Sequence, residues 1–321
     1  MTVLSCSKIK VTFLIPLYNE KESIDELYKS IICEVNSLEI DYEILFIDDG
    51  STDGSFGVVR SLITQDPSVK GIRLRRNFGK SSALNKGFRV AKGDVVITLD
   101  ADLQDDPKEI SRFISKLNEG YDLVTGWKKK RKDPFLSKNL PSKLFNLMVR
   151  CTAGVKLHDF NCGFKAFRSN VVKNLYLYGD LHRFIPALVH SQGYKVIEIP
   201  VEHHARRFGS SKYGLSRFTH GFLDFLTVIV ITKYLKRPMH FFGGLGALVS
   251  LVGFGCCLYL SILWFMGEII GHRPLLTLGV LLIIVGLQIM MTGLIAEMRR
   301  YDNRNKDYDD IVEEWLGLES L

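Results

Sequence analysis

The sequence predicts an α/β domain with a mostly parallel sheet, followed by interfacial helices and a transmembrane hairpin of two helices. Apolar, β-rich runs alternate with helical patterns up to residue 100. No charged residue occurs from Phe241 to Gly267 or from Leu275 to Ala296. Each of these runs exceeds the roughly 20 apolar residues needed to cross a bilayer. The predicted parts are the α/β domain at residues 1–214, the interfacial helices at 215–238, the two transmembrane helices at 239–298 and a C-terminal tail at 299–321.

The first part shows the alternation expected of βαβ units. Predicted strands lie at residues 10–17, 42–48, 69–75 and 94–100, and helical patterns lie at 20–38, 54–65 and 81–91. Such alternation favours a parallel sheet with helices on both faces. Ligands bind such sheets at the carboxyl ends of the strands.

The two uncharged runs are interpreted as membrane spans, because helices of a soluble core seldom stay apolar around their whole circumference. Basic residues in "KYLKRPMH" precede the first run and basic residues in "RRYDNRNK" follow the second. The positive-inside rule therefore predicts that the catalytic domain and both termini are cytoplasmic. Residues 215–234 have an apolar face with few charges, which is typical of helices lying in the membrane interface.

The net charge of +7 comes without a recognised nucleic-acid motif, so a membrane surface is the expected partner. The run "WKKKRKD", residues 127–133, is interpreted as a loop whose lysines face lipid phosphates, with a solvated charge run as the alternative. Six cysteines show no CxxC pairing, which argues against zinc.

Polar and acidic residues follow three of the predicted strands, in "PLYNE", "DDGSTDGS" and "DADLQDD". Because the carboxyl ends of parallel strands share one edge of the sheet, these groups are expected to converge. Clustered carboxylates are costly unless a cation neutralises them, and oxygen ligands suit Mg²⁺ or Mn²⁺. Asp100, Asp102 and Gln104 are the predicted holders of that ion. Local turns are the alternative for "DDGSTDGS", and an N-cap ahead of Pro107 explains Asp105 or Asp106.

Six motifs occur in an order that resembles family 2 glycosyltransferases with the GT-A fold, a Rossmann-like α/β fold. They are "IPLYNE", "IDDGSTDGS", "RNFGKSSALNKG", "LDADLQDDP", "DFNCGFKAFR" and "RRFGSSKYG". Together with the two C-terminal spans they are similar to the polyprenyl-phosphate glycosyltransferases, including the dolichyl-phosphate mannose synthases. The resemblance covers nearly the whole chain.

The resemblance implies roles for individual positions. A nucleotide site would be formed by Pro16, Tyr18, Asn19, Glu20, Asp48, Asp49, Asn77, Gly79, Lys80, Asp100 and Ala101. Metal ligands would be Asp102 and Gln104. The pattern R-x-x-G-x-S-K places phosphate-binding residues at Arg206, Gly209, Ser211 and Lys212. Catalytic positions would be Asp102, Asp159, Arg206 and Lys212. The chain departs from the pattern at Lys165, where the family often has arginine, a planar and more rigid phosphate ligand.

The function that the resemblance implies is metal-dependent hexosyl transfer from a UDP- or GDP-sugar to undecaprenyl or dolichyl phosphate, with inversion. Such an enzyme would be integral to the membrane, the plasma membrane in a bacterium, and a homo-oligomer is possible. The alternatives are a processive family 2 polysaccharide synthase, which normally carries a QxxRW motif absent here, and a non-enzymatic membrane scaffold. A nucleotidyltransferase is disfavoured because the chain lacks a glycine-rich phosphate loop.

Overall fold

The computed structural model describes residues 10–129, 154, 157–204, 238–267 and 274–303. The chain divides into two compact units, Met1–Ile229 and Val230–Leu321, which are considered separately.

The first unit begins with strands and helices in strict alternation. Its first half contains β1 (Lys10–Leu17), α1 (Ile24–Leu38), β2 (Asp41–Asp48), α2 (Ser55–Gln65), β3 (Val69–Arg73), α3 (Lys80–Val90) and β4 (Val95–Thr98). Then follow a 3-10 turn at Pro107–Glu109, α4 (Ile110–Asn118), β5 (Leu123–Trp127), β6 (Lys165–Arg168), α5 (Ser169–Lys173), a 3-10 turn at Leu181–Phe184, α6 (Ile185–Ser191) and β7 (Val196–Pro200). The predicted strands and helices of the first 100 residues are all present, with bounds shifted by a few residues.

Within the described residues, seven strands form one sheet in the order β3-β2-β1-β4-β6-β5-β7. Strand β6 runs antiparallel to both of its neighbours, and the other pairs are parallel. The predicted mostly parallel sheet is therefore confirmed. From β1 the chain builds outward to β2 and β3 on one side and returns to β4 on the other. This reversal between β1 and β4 is the switch point at which open α/β sheets form their binding crevice.

The core explains why these runs become strands. Every residue of β1 after Lys10 is buried, and Phe13, Leu14 and Ile15 have no exposed surface. Strands covered on both faces read as continuous apolar runs, as this one does. On the other half of the sheet, the ring of Phe113 from α4 stacks on Phe164 with centroids 4.2 Å apart. The buried sheet thus gives the residues beyond its strand ends a rigid support.

The second unit contains two long helices, α7 (Pro238–Phe265) and α8 (Pro274–Asn303). Both are long and apolar enough to cross a membrane. Only 11% of the most apolar 18-residue stretch of α7 and 17% of that of α8 are buried inside the protein. A helix from a soluble core would be mostly buried, so the low burial favours membrane insertion. The two helices pack closely at glycines: a Cβ on Gly253 would lie 2.5 Å from the carbonyl oxygen of Gly279. Small residues at such contacts are typical of helix pairs in lipid.

Candidate active site

The loops that follow β1 and β2 are joined by Asn19. Its backbone N–H donates to Ser51 Oγ at 2.8 Å, and its Oδ1 accepts from the Thr52 N–H at 2.8 Å. Asn19 has a φ of 52°, a left-handed conformation that asparagine tolerates better than most residues. The next residue, Glu20, donates its N–H to Ser55 Oγ at 3.0 Å. The loops after β1 and β2 are therefore hydrogen-bonded to each other and form one edge of the crevice.

Asp48 and Asp49 are both buried, and each is paired with groups of the protein. Asp48 accepts from the Ser51 N–H at 2.9 Å and lies 3.3 Å from Arg73 Nε. Asp49 accepts from the N–H groups of Phe78 and Gly79, both at 2.8 Å. Burial raises the pKa of Asp49, and these two hydrogen bonds oppose that shift. The pair thus links β2 to the loop before α3, and its contact with a nucleotide stays a prediction.

The other predicted nucleotide-side residues surround these loops. Tyr18 and Glu20 are partly exposed and Asn77 is exposed, whereas Ala101 is buried. The Asn77 Oδ1 accepts from the Gly79 N–H at 3.1 Å. Pro16 lines a small cavity of about 10 Å³ between β1, β4 and α6.

Lys80 and Asp100 meet at the centre of the crevice. Lys80 is the first residue of α3, and its Nζ forms an ion pair and hydrogen bond with Asp100 Oδ1 beyond the end of β4. Burial opposes ionisation of Asp100, but the positive charge of Lys80, with smaller contributions from Lys128 and Lys165, lowers its pKa to about 2. Asp100 is therefore ionised at neutral pH. Two predicted nucleotide-site residues are thus brought into direct contact.

The segment from Asp102 to Gln104 is tightly turned. Asp102 Oδ1 accepts from the Gln104 N–H at 3.3 Å, and Leu103 between them has a φ of 59°. The Gln104 carbonyl accepts from the His204 N–H at 2.9 Å, so this turn is held by the strand end beyond β7. A carboxylate and an amide oxygen on one turn are a donor set that suits Mg²⁺ or Mn²⁺, so these residues fit the predicted ion.

A second group of possible ligands lies beside this turn. Ligand atoms of Asp106, Glu202 and His204 lie within 4.8 Å of one another. Both carboxylate oxygens of Asp106 already have protein partners. Its Oδ1 accepts from the Lys108 N–H at 3.0 Å, and its Oδ2 lies 3.2 Å from His204 Nε2. Asp106 is therefore the N-cap of the turn at Pro107, one of the two positions predicted for it.

The structure departs from the sequence prediction at Lys128. Its side chain is 14% exposed and forms an ion pair at 3.2 Å with Asp105, which is 1% exposed. Burial opposes the charged form of Lys128, but Asp105 outweighs it and raises the pKa of the lysine. Lys128 is therefore buried against the acidic segment, which it stabilises through Asp105, and it does not face lipid. Residues 130–133 of the same run lie outside the described residues.

Asp159 is buried, with 1% of its surface exposed, and its Oδ1 accepts from the Asn161 N–H at 3.1 Å. The residues that follow it, Asn161 to Gly163, line the small cavity together with Lys80 and Asp100. A Cβ on Gly163 would lie 2.6 Å from Cγ of Asp100, so any larger residue would displace that carboxylate. The structure thus places the Asp159 segment against the Lys80–Asp100 pair.

Two more residues line this cavity: Lys165, which stands where the family often has a phosphate-binding arginine, and His182, for which no role was predicted. Lys165 is 3% exposed and donates to the Cys162 carbonyl, and burial lowers its pKa to about 8. His182 Nδ1 lies 3.0 Å from Ser81 Oγ. Burial, followed by the charges of Lys80 and Arg183, lowers the pKa of His182 well below its ordinary value, so its ring is neutral. Lys165 lies in the quoted motif "DFNCGFKAFR", whereas His182 comes from a turn that no quoted motif includes.

The predicted phosphate-binding positions Arg206, Gly209, Ser211 and Lys212 lie outside the described residues, as do the predicted interfacial helices at 215–234.

Comparison with known proteins places the chain in a family. The model for "Glycosyl transferase family 2" matches residues 12–176. A dodecaprenyl-phosphate galacturonate synthase of Rhizobium johnstonii is 38% identical over 299 residues, covering 90% of this chain and 87% of that protein. An undecaprenyl-phosphate 4-deoxy-4-formamido-L-arabinose transferase of Edwardsiella ictaluri is 36% identical over 290 residues, covering 89% and 87%.

Solved structures agree on the fold. A mannosyltransferase from Pyrobaculum calidifontis, solved with GDP-mannose and Mn²⁺, aligns with a TM-score of 0.51 at 20% identity, over 70% of this chain and 64% of that protein. The chain thus spans less than two thirds of that mannosyltransferase. A glucosyl-3-phosphoglycerate synthase from Mycobacterium tuberculosis, solved with Mn²⁺, UDP and phosphoglyceric acid, aligns with a TM-score of 0.55 at 17% identity, over 70% and 78%. By its family match and its relatives, the chain is a glycosyltransferase of family 2.

Proposed function

We propose that the chain transfers a sugar from a nucleoside diphosphate sugar to a polyprenyl phosphate. The observation that carries this proposal is the extent of the match to the two relatives named for polyprenyl-phosphate chemistry, about nine tenths of the chain in each case. A match of that length extends through most of the α/β unit and reaches both apolar helices. A likeness confined to the α/β unit would have favoured a family 2 enzyme with any acceptor.

The donor would lie in the crevice at the switch point of the sheet. The fixed loop at Asn19 and the loop held by Asp49 would frame the nucleoside, as the crevice does in this fold class. Asp102 and Gln104 would hold Mg²⁺ or Mn²⁺, and such an ion, when bound, supplies Lewis-acid charge to a departing diphosphate. The structural relatives solved with Mn²⁺ support an ion of this type.

Lys80 is proposed to interact with two negative groups, the Asp100 carboxylate and the donor diphosphate. It holds the ionised Asp100 in place, and it contributes positive charge at the strand ends where the diphosphate would lie. Arg206, Ser211 and Lys212 are proposed to bind the phosphates on the basis of the sequence motif alone. Charge-assisted contacts of this kind are among the strongest that a protein makes with phosphate.

The acceptor needs little activation. A phosphate monoester has its second pKa near 6, so it is largely dianionic at pH 7 and its oxygen is already a nucleophile. Buried Asp159 is therefore proposed to position the sugar or the acceptor instead of removing a proton. Direct attack by the phosphate oxygen would invert the anomeric centre. A single transfer is favoured over processive synthesis because no QxxRW motif occurs in the sequence.

The membrane orientation belongs to the same proposal. Basic flanks at the outer ends of the two apolar helices favour a cytoplasmic α/β unit with both termini on that side. A long polyprenyl chain stays in the bilayer, so its phosphate is presented at the headgroup plane. Placing the donor site on the cytoplasmic side would give the enzyme access to soluble nucleotide sugars.

The experiment uses the purified full-length protein with a polyprenyl phosphate, Mn²⁺ and a panel of UDP- and GDP-sugars. The expected result is that one donor is converted into a lipid-soluble sugar phosphate. Omitting the lipid phosphate is the control, and it should abolish the lipid-soluble product. Transfer to water-soluble acceptors at the same rate, or no transfer from any donor, would overturn the proposal.

A further inference from the structure

Glu198, in the middle of β7, forms hydrogen bonds with the segment that carries Asp159. Its Oε2 accepts from the His158 N–H at 2.6 Å and from the Asp159 N–H at 3.4 Å. Its Oε1 pairs with the Nδ1 of the His158 ring. One carboxylate thus contacts two successive backbone groups and one side chain, all from a segment forty residues earlier in the chain.

The sheet register explains why Glu198 reaches this segment. Glu198 pairs with Thr125 of β5, and Trp127 is two residues further along the same strand. Side chains two residues apart share one face of a sheet, so Glu198 and Trp127 point to the same side. The ring of His158 stacks on Trp127 with centroids 4.2 Å apart and an angle of 16° between the planes. His158 is therefore held by stacking on β5 and by hydrogen bonding to β7.

The segment bonded to Glu198, His158–Asp159, is followed directly by residues that line the active-site cavity. Asp159 is followed by Asn161 and Gly163, which line the same cavity as Lys80 and Asp100. A Cβ added to Gly163 would lie 2.6 Å from Asp100 Cγ, so the Gly163 backbone lies beside the carboxylate and has little room to move toward it. A shift of the His158–Asp159 backbone would consequently be passed to the groups at the crevice.

We propose that Glu198 is a positioning residue for sugar transfer. Through its bonds to the His158 and Asp159 backbone, it fixes the positions of Asp159 and of the cavity-lining residues Asn161–Gly163. Glu198 itself does not touch the substrate. This inference rests on the proposed function, because that function provides the reaction that the segment serves. Displacing catalytic geometry by about 1 Å from a distance can cost about 100-fold in rate.

The role predicts a particular kinetic pattern. Glu198→Ala removes all three bonds, and we expect kcat to fall about 10- to 100-fold per folded molecule. The KM for the nucleotide sugar should change little, because the proposed nucleoside loops at Asn19 and Asp49 belong to the other half of the sheet. Glu198→Gln should restore most of kcat, since its amide oxygen accepts the same backbone N–H bonds and its amide NH₂ can donate to the ring nitrogen. His158→Phe keeps the stacking and the backbone bonds, so its loss should be smaller than that of Glu198→Ala.

Glu119→Gln is the matched control, because Glu119 is an exposed carboxylate at the end of α4, paired with Lys116. It should keep wild-type kcat and KM. The active fraction of each variant is taken from its folded amount and thermal unfolding. A Glu198→Ala protein that loses folded material but keeps wild-type kcat per folded molecule would make Glu198 merely structural. If Glu198→Ala does not fold, Glu198→Asp is the second variant, because its shorter side chain keeps the charge but cannot reach the His158 and Asp159 N–H groups from the same backbone position. A kcat for Glu198→Asp clearly below that of Glu198→Gln would support the inference, and a kcat equal to wild type would overturn it. A wild-type protein that forms no lipid-linked product would instead refute the proposed function.

Discussion

Lys80 at the start of α3 forms an ion pair with Asp100, two residues beyond the end of β4. The pair joins two sequence motifs twenty residues apart, and it lies at the switch point between β1 and β4. It also keeps the Asp100 carboxylate ionised, with a pKa of about 2. The pair therefore fixes both the position and the charge of the first aspartate in the acidic run.

Replacing Lys80 by methionine tests this relationship. The change keeps most of the stem but removes the charge that holds Asp100, so the Asp100 side chain should become mobile and its pKa should rise. We expect sugar transfer to fall about 10- to 100-fold, as catalytic geometry loosens. The measurement is kcat and KM for the donor at saturating lipid phosphate. Lys86→Met is the control, because Lys86 is an exposed lysine on the same helix. Equal activities in both variants would contradict a role for the pair.

Replacing Gly163 by alanine tests the same carboxylate from the opposite side. The new Cβ would lie 2.6 Å from Asp100 Cγ, well inside the ordinary carbon contact of about 3.5–4.0 Å, so the Asp100 side chain must shift from the position in which it pairs with Lys80. Activity should fall about as far as in the Lys80 variant. Gly57→Ala on α2 is the control, because no atom lies within 4 Å of its added Cβ. A fully active Gly163→Ala protein would show that the Asp100 position is not critical.

Much of the first half of the sheet could be predicted from sequence, and the second half could not. β1 and β2 contain the unbroken apolar runs "FLIPL" and "ILFI", and a helical pattern separates them, so the βαβ order is evident. By contrast, β6 has four residues and β7 is only partly buried along most of its length. Short and half-exposed strands carry a weak apolar pattern, and their pairing depends on the antiparallel β6 between β4 and β5.

The same limit applied to the active site. Asp100 and Asp102 could be identified because they directly follow a predicted strand. Lys165 lies within a quoted motif and His182 does not. Both reach this cavity through the pairing of β6 with β4 and the turn before α6, which no local pattern indicates. The burial of Lys128 likewise depends on β5, since Asp105 is a partner only once that strand is in place.

A buried polar network at the opposite end of β1 predicts acid sensitivity. Glu43 accepts from Thr12 Oγ1 at 2.6 Å, from Lys70 Nζ at 2.5 Å and from the Lys92 N–H at 2.7 Å. Burial would raise the Glu43 pKa, but these donors outweigh it and lower the pKa below its ordinary 4.5. A lowered folded-state pKa stabilises the protein above about pH 4.5, and that contribution is lost as the pH falls through the folded value.

Glu43→Ala should therefore destabilise the α/β unit by about 1–3 kcal/mol at neutral pH, because Thr12 and the Lys92 N–H lose their acceptor. The difference from wild type should shrink towards pH 3. Thermal unfolding of the detergent-purified protein across this pH range measures both effects, with exposed Glu119→Ala as the control. A difference that stays constant with pH would contradict the assigned ionisation.

The predicted metal ligand gives a sharper test of chemistry. Asp102→Ala should reduce transfer by orders of magnitude while the protein remains folded, because a single preorganised electrostatic group is often worth about 100- to 1,000-fold in kcat. Removing divalent ions with a chelator should have the same effect on wild type, reversed by Mn²⁺ or Mg²⁺. The comparison that matters is Asp106→Asn, which alters the neighbouring Asp106, Glu202 and His204 group. If Asp106→Asn were inactive and Asp102→Ala active, the ion would belong to that group instead.

The last prediction concerns the side of the membrane on which the enzyme works. Basic residues flank the outer ends of both apolar helices, whereas the connection "EIIGHRP" between them carries a single arginine. Such asymmetry keeps the more basic ends cytoplasmic. Protease added to sealed inside-out vesicles should therefore digest residues 1–235, and right-side-out vesicles should protect them. A soluble protein trapped inside each preparation verifies that the vesicles are sealed. Cleavage of the α/β unit from the outside alone would place the donor site away from cytoplasmic nucleotide sugars, and the proposed reaction would then lack its substrate.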